Sequence, residues 1–100
     1  MIINDHPYIS PKIIFKRRLI KRFLTGKFLP GLYVVRFAND PDQLEIIKSE
    51  YYKQKEIMKE DKRVVAIVKS YDEALNYVCE VTDLSIKEYG EPLIKEYLTR

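Results

Sequence analysis

Arg63-Val64-Val65-Ala66-Ile67-Val68-Lys69 is the stretch that decides the fold: five consecutive apolar residues between two cations. A strand with one wet face alternates apolar and polar residues, so an unbroken apolar run implies a strand covered on both faces. That requires helices above and below one sheet, an α/β architecture. A second strand follows the turn signal Pro30-Gly31, where Leu32-Tyr33-Val34-Val35-Arg36-Phe37-Ala38 is rich in residues that suit a pleated surface.

Between these strands, Asn39-Asp40-Pro41 has the cap-then-proline form of a helix start. It predicts a helix over residues 41–60, with Leu44, Ile47, Tyr51, Gln54 and Met58 on one side. Two strands joined through a helix of that length pair most naturally in parallel, by a right-handed crossover. A two-stranded sheet is marginal and leaves open edges. The missing pairing is expected from residues 1–4, from residues 27–29, or from a second copy of the chain in a homodimer.

Downstream, Ser70 and Glu73 form a capping-box pattern. The helix they open should run to Tyr89, with Tyr71, Ala74, Leu75, Val78, Val81, Thr82, Ile86 and Tyr89 on one arc. Gly90 and Pro92 end it, and residues 92–99 make a terminal helix. Upstream, residues 1–9 read as an extended arm with a short edge strand at Ile2-Ile3. Ser10-Pro11 opens a helix over residues 11–25, and Gly26 stops it. The expectation is one small α/β domain of order α-β-α-β-α-α, residues 32–100 being its βαβαα core. One hundred residues suffice for a single core.

The expected first helix carries the strongest functional signal. Residues 12–27 hold seven of the 18 Lys and Arg residues and no Asp or Glu. Phe15, Leu19, Phe23, Ile20, Ile13 and Leu24 share its apolar face, with Lys12 and Lys16 snorkelling from within that arc. Arg17, Arg18, Lys21 and Arg22 form the outward face, followed by Lys27. Residues 1–37 carry eight bases against Asp5 alone, +7, while residues 38–100 carry ten against fourteen acids, −4. The chain is bipolar.

Three readings fit that face. It is a solvated surface balanced by the acidic side of the C-terminal helix, a polyanion site for nucleic acid, or a dock for an acidic protein or anionic membrane. The membrane reading needs a free apolar face, whereas Phe15, Leu19 and Phe23 are expected in the core. No helix-turn-helix or zinc-finger pattern is present, so any nucleic acid should be read by charge and shape.

Catalytic chemistry is not expected. His6 lies beside Pro7 with Asp5 as its nearest candidate orienter, Cys79 sits more than two turns into its helix, and Thr25-Gly26-Lys27 lacks the upstream glycine of a phosphate loop. Asp40, Asp42 and Glu45 suit helix capping better than a metal. Tyr52 and Tyr77 fall off the apolar arcs of their helices and are expected at a protein interface.

The lone cysteine, the absence of an apolar segment of about twenty residues and an N-terminus unlike a secretory signal predict a cytoplasmic protein. The expected product is a small accessory binding protein or inhibitor without metal or other cofactor. It docks nucleic acid or an acidic protein through its basic helix and self-associates as a dimer.

Overall fold

The apolar run becomes an interior strand because it has apolar layers to meet on both sides. A computed structural model describes residues 2–27, 29–40, 42–54, 57 and 62–99 of the chain. Its elements are β1 (Ile2–Ile9), α1 (Lys16–Leu24), β2 (Tyr33–Phe37), β3 (Leu44–Lys48), β4 (Arg63–Val68), α2 (Tyr71–Tyr89) and α3 (Ile94–Thr99). A 3-10 turn, Ser49–Lys53, follows β3. The four strands form one mixed sheet in the order β1-β4-β2-β3, with β1 parallel to β4 and both β4 and β3 antiparallel to β2.

The expected two-stranded sheet is therefore corrected to four strands. The expected parallel pairing of the two apolar strands is corrected to antiparallel. Both errors come from the segment after Phe37. Asn39 and Asp40 make a hairpin turn instead of capping a helix: the Asp42 N–H donates to the Asp40 carboxylate at 2.9 Å, and the Ala38 N–H donates to the Gln43 carbonyl at 2.9 Å. Leu44, Ile46 and Ile47 then pair with Phe37, Val35 and Val34. β4 runs in the same direction as β3 and pairs with the other edge of β2, so it too is antiparallel to β2. Pro41 and Met58, parts of the expected helix, lie outside the described residues.

The N-terminal strand is present and longer than its expected Ile2-Ile3 core. It pairs with β4 at both ends, Ile2 and Ile3 with Arg63 and Val64, then Tyr8 and Ile9 with Ala66 and Ile67. The register shifts between these pairs, across Asn4 to Pro7, where an edge strand accommodates a proline.

A bulge in β4 sets which side chains face which helix. Val35 lies opposite Ala66 and Arg36 opposite Val64, so Val65 is an extra residue. Val64 and Ile67 join Leu19 and Phe23 of α1 in one core cluster, with Ile9, Ile13, Val34 and Tyr52. Val65, Ala66 and Val68 join Ala74, Tyr77 and Val78 of α2 and Leu98 of α3 in the other. The helices α1 and α2 thus cover opposite faces of the sheet.

Helix α1 starts at Lys16, five residues later than expected. Ser10 is fully buried, its N–H donates to the Ile67 carbonyl at 3.0 Å, and its Oγ accepts from Lys12 N–H at 3.3 Å. The serine and proline make a turn that drops Ile13 into the core. The C-terminal end follows expectation: Gly26 has φ 78°, and the Gly26 and Lys27 amides reach back to the Phe23 and Arg22 carbonyls.

Helix α2 has the expected bounds. Ser70 Oγ accepts from the Glu73 N–H at 3.1 Å, the Glu73 carboxylate accepts from the Lys69 N–H at 3.1 Å, and Gly90 closes the helix at φ 78°. Ser70→Ala is expected to lower stability by about 1 kcal/mol, seen as a reduced urea midpoint with an unchanged denaturant slope; no change in midpoint would remove the cap from the list of stabilising contacts.

Candidate functional site

Five of the cations of residues 12–27, namely Arg17, Arg18, Lys21, Arg22 and Lys27, are exposed. Among the described residues none of them meets a carboxylate at ion-pair distance. The acidic side of α2 does not neutralise them within the molecule, because α2 lies on the opposite face of the sheet. Their charge is turned to solvent.

The structure divides the expected four-residue face into two rows. Arg18 and Arg22, one turn apart, border an open groove of about 300 Å³. Arg17 and Lys21 form the neighbouring row and do not line it, nor does Lys27. Two further cations complete the groove from outside α1: Lys12 in the preceding turn and Lys69 just past β4. The floor is apolar and drawn from the core, with Ile13, Leu19 and Leu32, while Ile14, Phe15 and Leu29 stand at its wall. Among the described residues no carboxylate lines it.

Phe15 departs from the expectation that it belongs to the core. It is 63% exposed and Ile14 83%, because the late start of α1 leaves both in the approach to the helix while Ile13 takes the buried position. The Arg18 guanidinium lies 5.0 Å from the centre of the Phe15 ring, a cation–π contact that holds the ring at the groove. Ile14 and Phe15 before α1, and Leu24 at its end, therefore leave apolar surface free.

Lys12 is expected to snorkel from the apolar arc, and Lys69 carries no local signal of a site. Lys69 was visible as the cation closing the β4 run, but its approach to α1 depends on the sheet. Leu29 is positioned through Ser49, whose Oγ donates to the Leu29 carbonyl at 2.6 Å and accepts from the Leu32 N–H at 3.3 Å. The Glu50 carboxylate accepts from the Gly31 N–H at 2.8 Å, a bond that holds its pKa below the usual carboxylate value. The loop before β2 is thus tied to the 3-10 turn.

The two tyrosines expected at an interface differ in exposure. Tyr52 is 2% exposed in the α1-side core, where its hydroxyl lies 3.5 Å from Arg36 Nη1 and its ring 5.6 Å from the guanidinium carbon. The placement of Tyr52 on a helix surface fails because residues 49–53 are a 3-10 turn folded onto the sheet. Tyr77 is half-buried and stacks on Tyr8 with ring centres 5.3 Å apart; burial first, then Tyr97 and Glu80, pushes its pKa up to about 12.

His6 borders two hollows on the far side of the molecule, one with Tyr77, Glu80 and Tyr97 and one with Asn4 and Arg63, and neither includes Asp40 or Cys79. Cys79, which its place at the border of the apolar arc marks as a buried structural cysteine, is instead exposed. Glu45 pairs with Arg36 at 2.6 Å and Lys62 at 3.2 Å, while Asp42 accepts from the Lys95 N–H at 3.2 Å. The three acids are therefore engaged in the fold, and no group of three His, Cys, Asp or Glu suited to a metal is found among the described residues.

Also among the described residues, no helix is long and apolar enough to cross a membrane. No known protein family matches the chain, and no curated protein or solved structure is significantly similar to it.

Proposed function

We propose that this chain is a small, non-enzymatic binding protein that presents a basic helix to a polyanion, namely nucleic acid held by charge and shape. One observation carries the reading. Lys12, Arg18, Arg22 and Lys69 come from three separate segments and converge on one groove that, among the described residues, no carboxylate lines. Arg17, Lys21 and Lys27 extend the positive surface beside it. Solvated surface charge has no need to converge in this way, whereas phosphate binding gains from each added cation through counterion release.

Titration of a labelled single-stranded oligonucleotide across salt concentrations tests this. With four to six phosphates engaged at about 0.7 per contact, log K should fall with log salt at a slope of roughly −3 to −4. A slope near zero, or no binding at about 50 mM salt, overturns the proposal. An acidic protein surface is the alternative partner, since the same cations serve it. Retention by an acidic protein that oligonucleotide fails to compete away would favour that partner.

A further inference from the structure

The groove has a feature that charge alone does not use: its floor and wall are apolar, and one of its walls is an exposed aromatic ring. A duplex presents phosphates outward and keeps its base faces stacked inside, so it leaves such a wall unpaired. A single strand presents both phosphates and open π-faces. Resting on the polyanion reading above, we infer that the groove takes single-stranded nucleic acid, with one base stacked at Phe15 and its flanking phosphates held by Lys12, Arg18, Arg22 and Lys69.

Three observations converge on this occupant. Phe15 is 63% exposed, although burying a phenylalanine ring is among the larger gains open to a small domain. Arg18 lies over that ring at 5.0 Å, so the cation and the stacking surface are held as one unit, and guanidinium planes themselves stack on bases. The groove, about 300 Å³, is at the small end of ligand pockets and adjoins the wider basic surface of Arg17 and Lys21, along which a strand can continue.

The chain contains no tryptophan, so Phe15→Trp installs a single tryptophan in the groove, excited selectively over the eight tyrosines. The test measures anisotropy of a labelled oligothymidylate and of a duplex of equal length, together with emission of the Phe15→Trp variant. Single strand should bind about tenfold more tightly than duplex. Phe15→Ala should lose roughly five- to hundredfold on the single strand and little on the duplex, the range measured for removing one base–aromatic stack. The Phe15→Trp variant should retain binding, and its emission should be quenched by the oligonucleotide.

Equal affinity for duplex and single strand, with Phe15→Ala neutral on both, overturns the stacking inference and leaves the polyanion reading standing. Failure of both nucleic acids to bind overturns the two together. If phosphatidylserine vesicles shift the tryptophan emission to the blue while oligonucleotide leaves it unchanged, the groove belongs to an anionic lipid surface and the inference is wrong.

Discussion

Replacing Arg17, Arg18, Lys21 and Arg22 together by glutamate is expected to reduce oligonucleotide affinity on the order of a thousandfold or more at low salt, each phosphate contact contributing about tenfold there. The salt slope should collapse towards zero, since repelled phosphates release no counterions on binding. The fold should persist, because all four side chains are exposed and none meets a carboxylate among the described residues. Some destabilisation is expected where Lys21 and Arg22 leave the last turn of α1, about 0.3 to 1 kcal/mol each from the helix dipole. Circular dichroism distinguishes this modest loss from unfolding. A folded quadruple variant that still binds with an unchanged slope would place the polyanion site elsewhere.

The largest stability effect is expected on the other side of β2 from α2, at the Arg36 and Glu45 pair. Arg36 is 3% exposed and sits directly across from Glu45 in the β2–β3 register, with Nε 2.6 Å from the carboxylate. Burial is the largest influence on the guanidinium and lowers its pKa, yet Tyr52 and Glu45 together raise it above its ordinary value. The charge is retained because its partners outweigh the desolvation.

Glu45→Ala removes one carboxylate from a desolvated cation. Breaking a fully buried pair costs about 3–5 kcal/mol; with Glu45 31% exposed, about 2–3 is expected. For a domain of this size that lowers Tm by roughly 10–20 °C. Exchanging both partners for apolar residues, Arg36→Met with Glu45→Leu, should recover much of the loss, because neither charge is then stranded. A Glu45→Ala variant within about 0.5 kcal/mol of the parent would show that the guanidinium's other contacts sustain its charge.

The elements legible in the sequence are those whose signals are local and agree. For α2, the Ser70 cap, the Glu73 box and the Gly90 stop lie at the right spacing around a periodic segment, and all three operate in the fold. The segment around Asp40 carried an equally good local signal and went the other way. An Asx turn and a helix cap use the same side chain on nearby backbone amides, and Leu44, Ile47 and Tyr51 satisfy helical spacing as well as a strand followed by a tight turn. What separates the two is the pairing of Ile46 and Ile47 with β2 and of Glu45 with Arg36, contacts across the hairpin that helical spacing does not register.

The candidate site divides along the same line. Its sign was legible, since Arg17, Arg18, Lys21, Arg22 and Lys27 stand in an acid-free segment. Its shape was not, because Lys69 reaches the groove only through the position of β4, and Phe15 is free only because Ser10 ties the chain to Ile67 before α1 begins.

By itself, then, the sequence determined that one strand would be covered on both faces, that a capped nineteen-residue helix would follow it, and that the positive charge would gather on the first helix. Apolar runs, caps and charge counts act over one or two turns of chain and need no distant partner. Tertiary structure alone decided the strand directions, the fate of residues 44–53 and the union of four cations around an apolar groove. Each of these depends on contacts between residues far apart in the chain, and only the assembled sheet brings such residues within reach of one another.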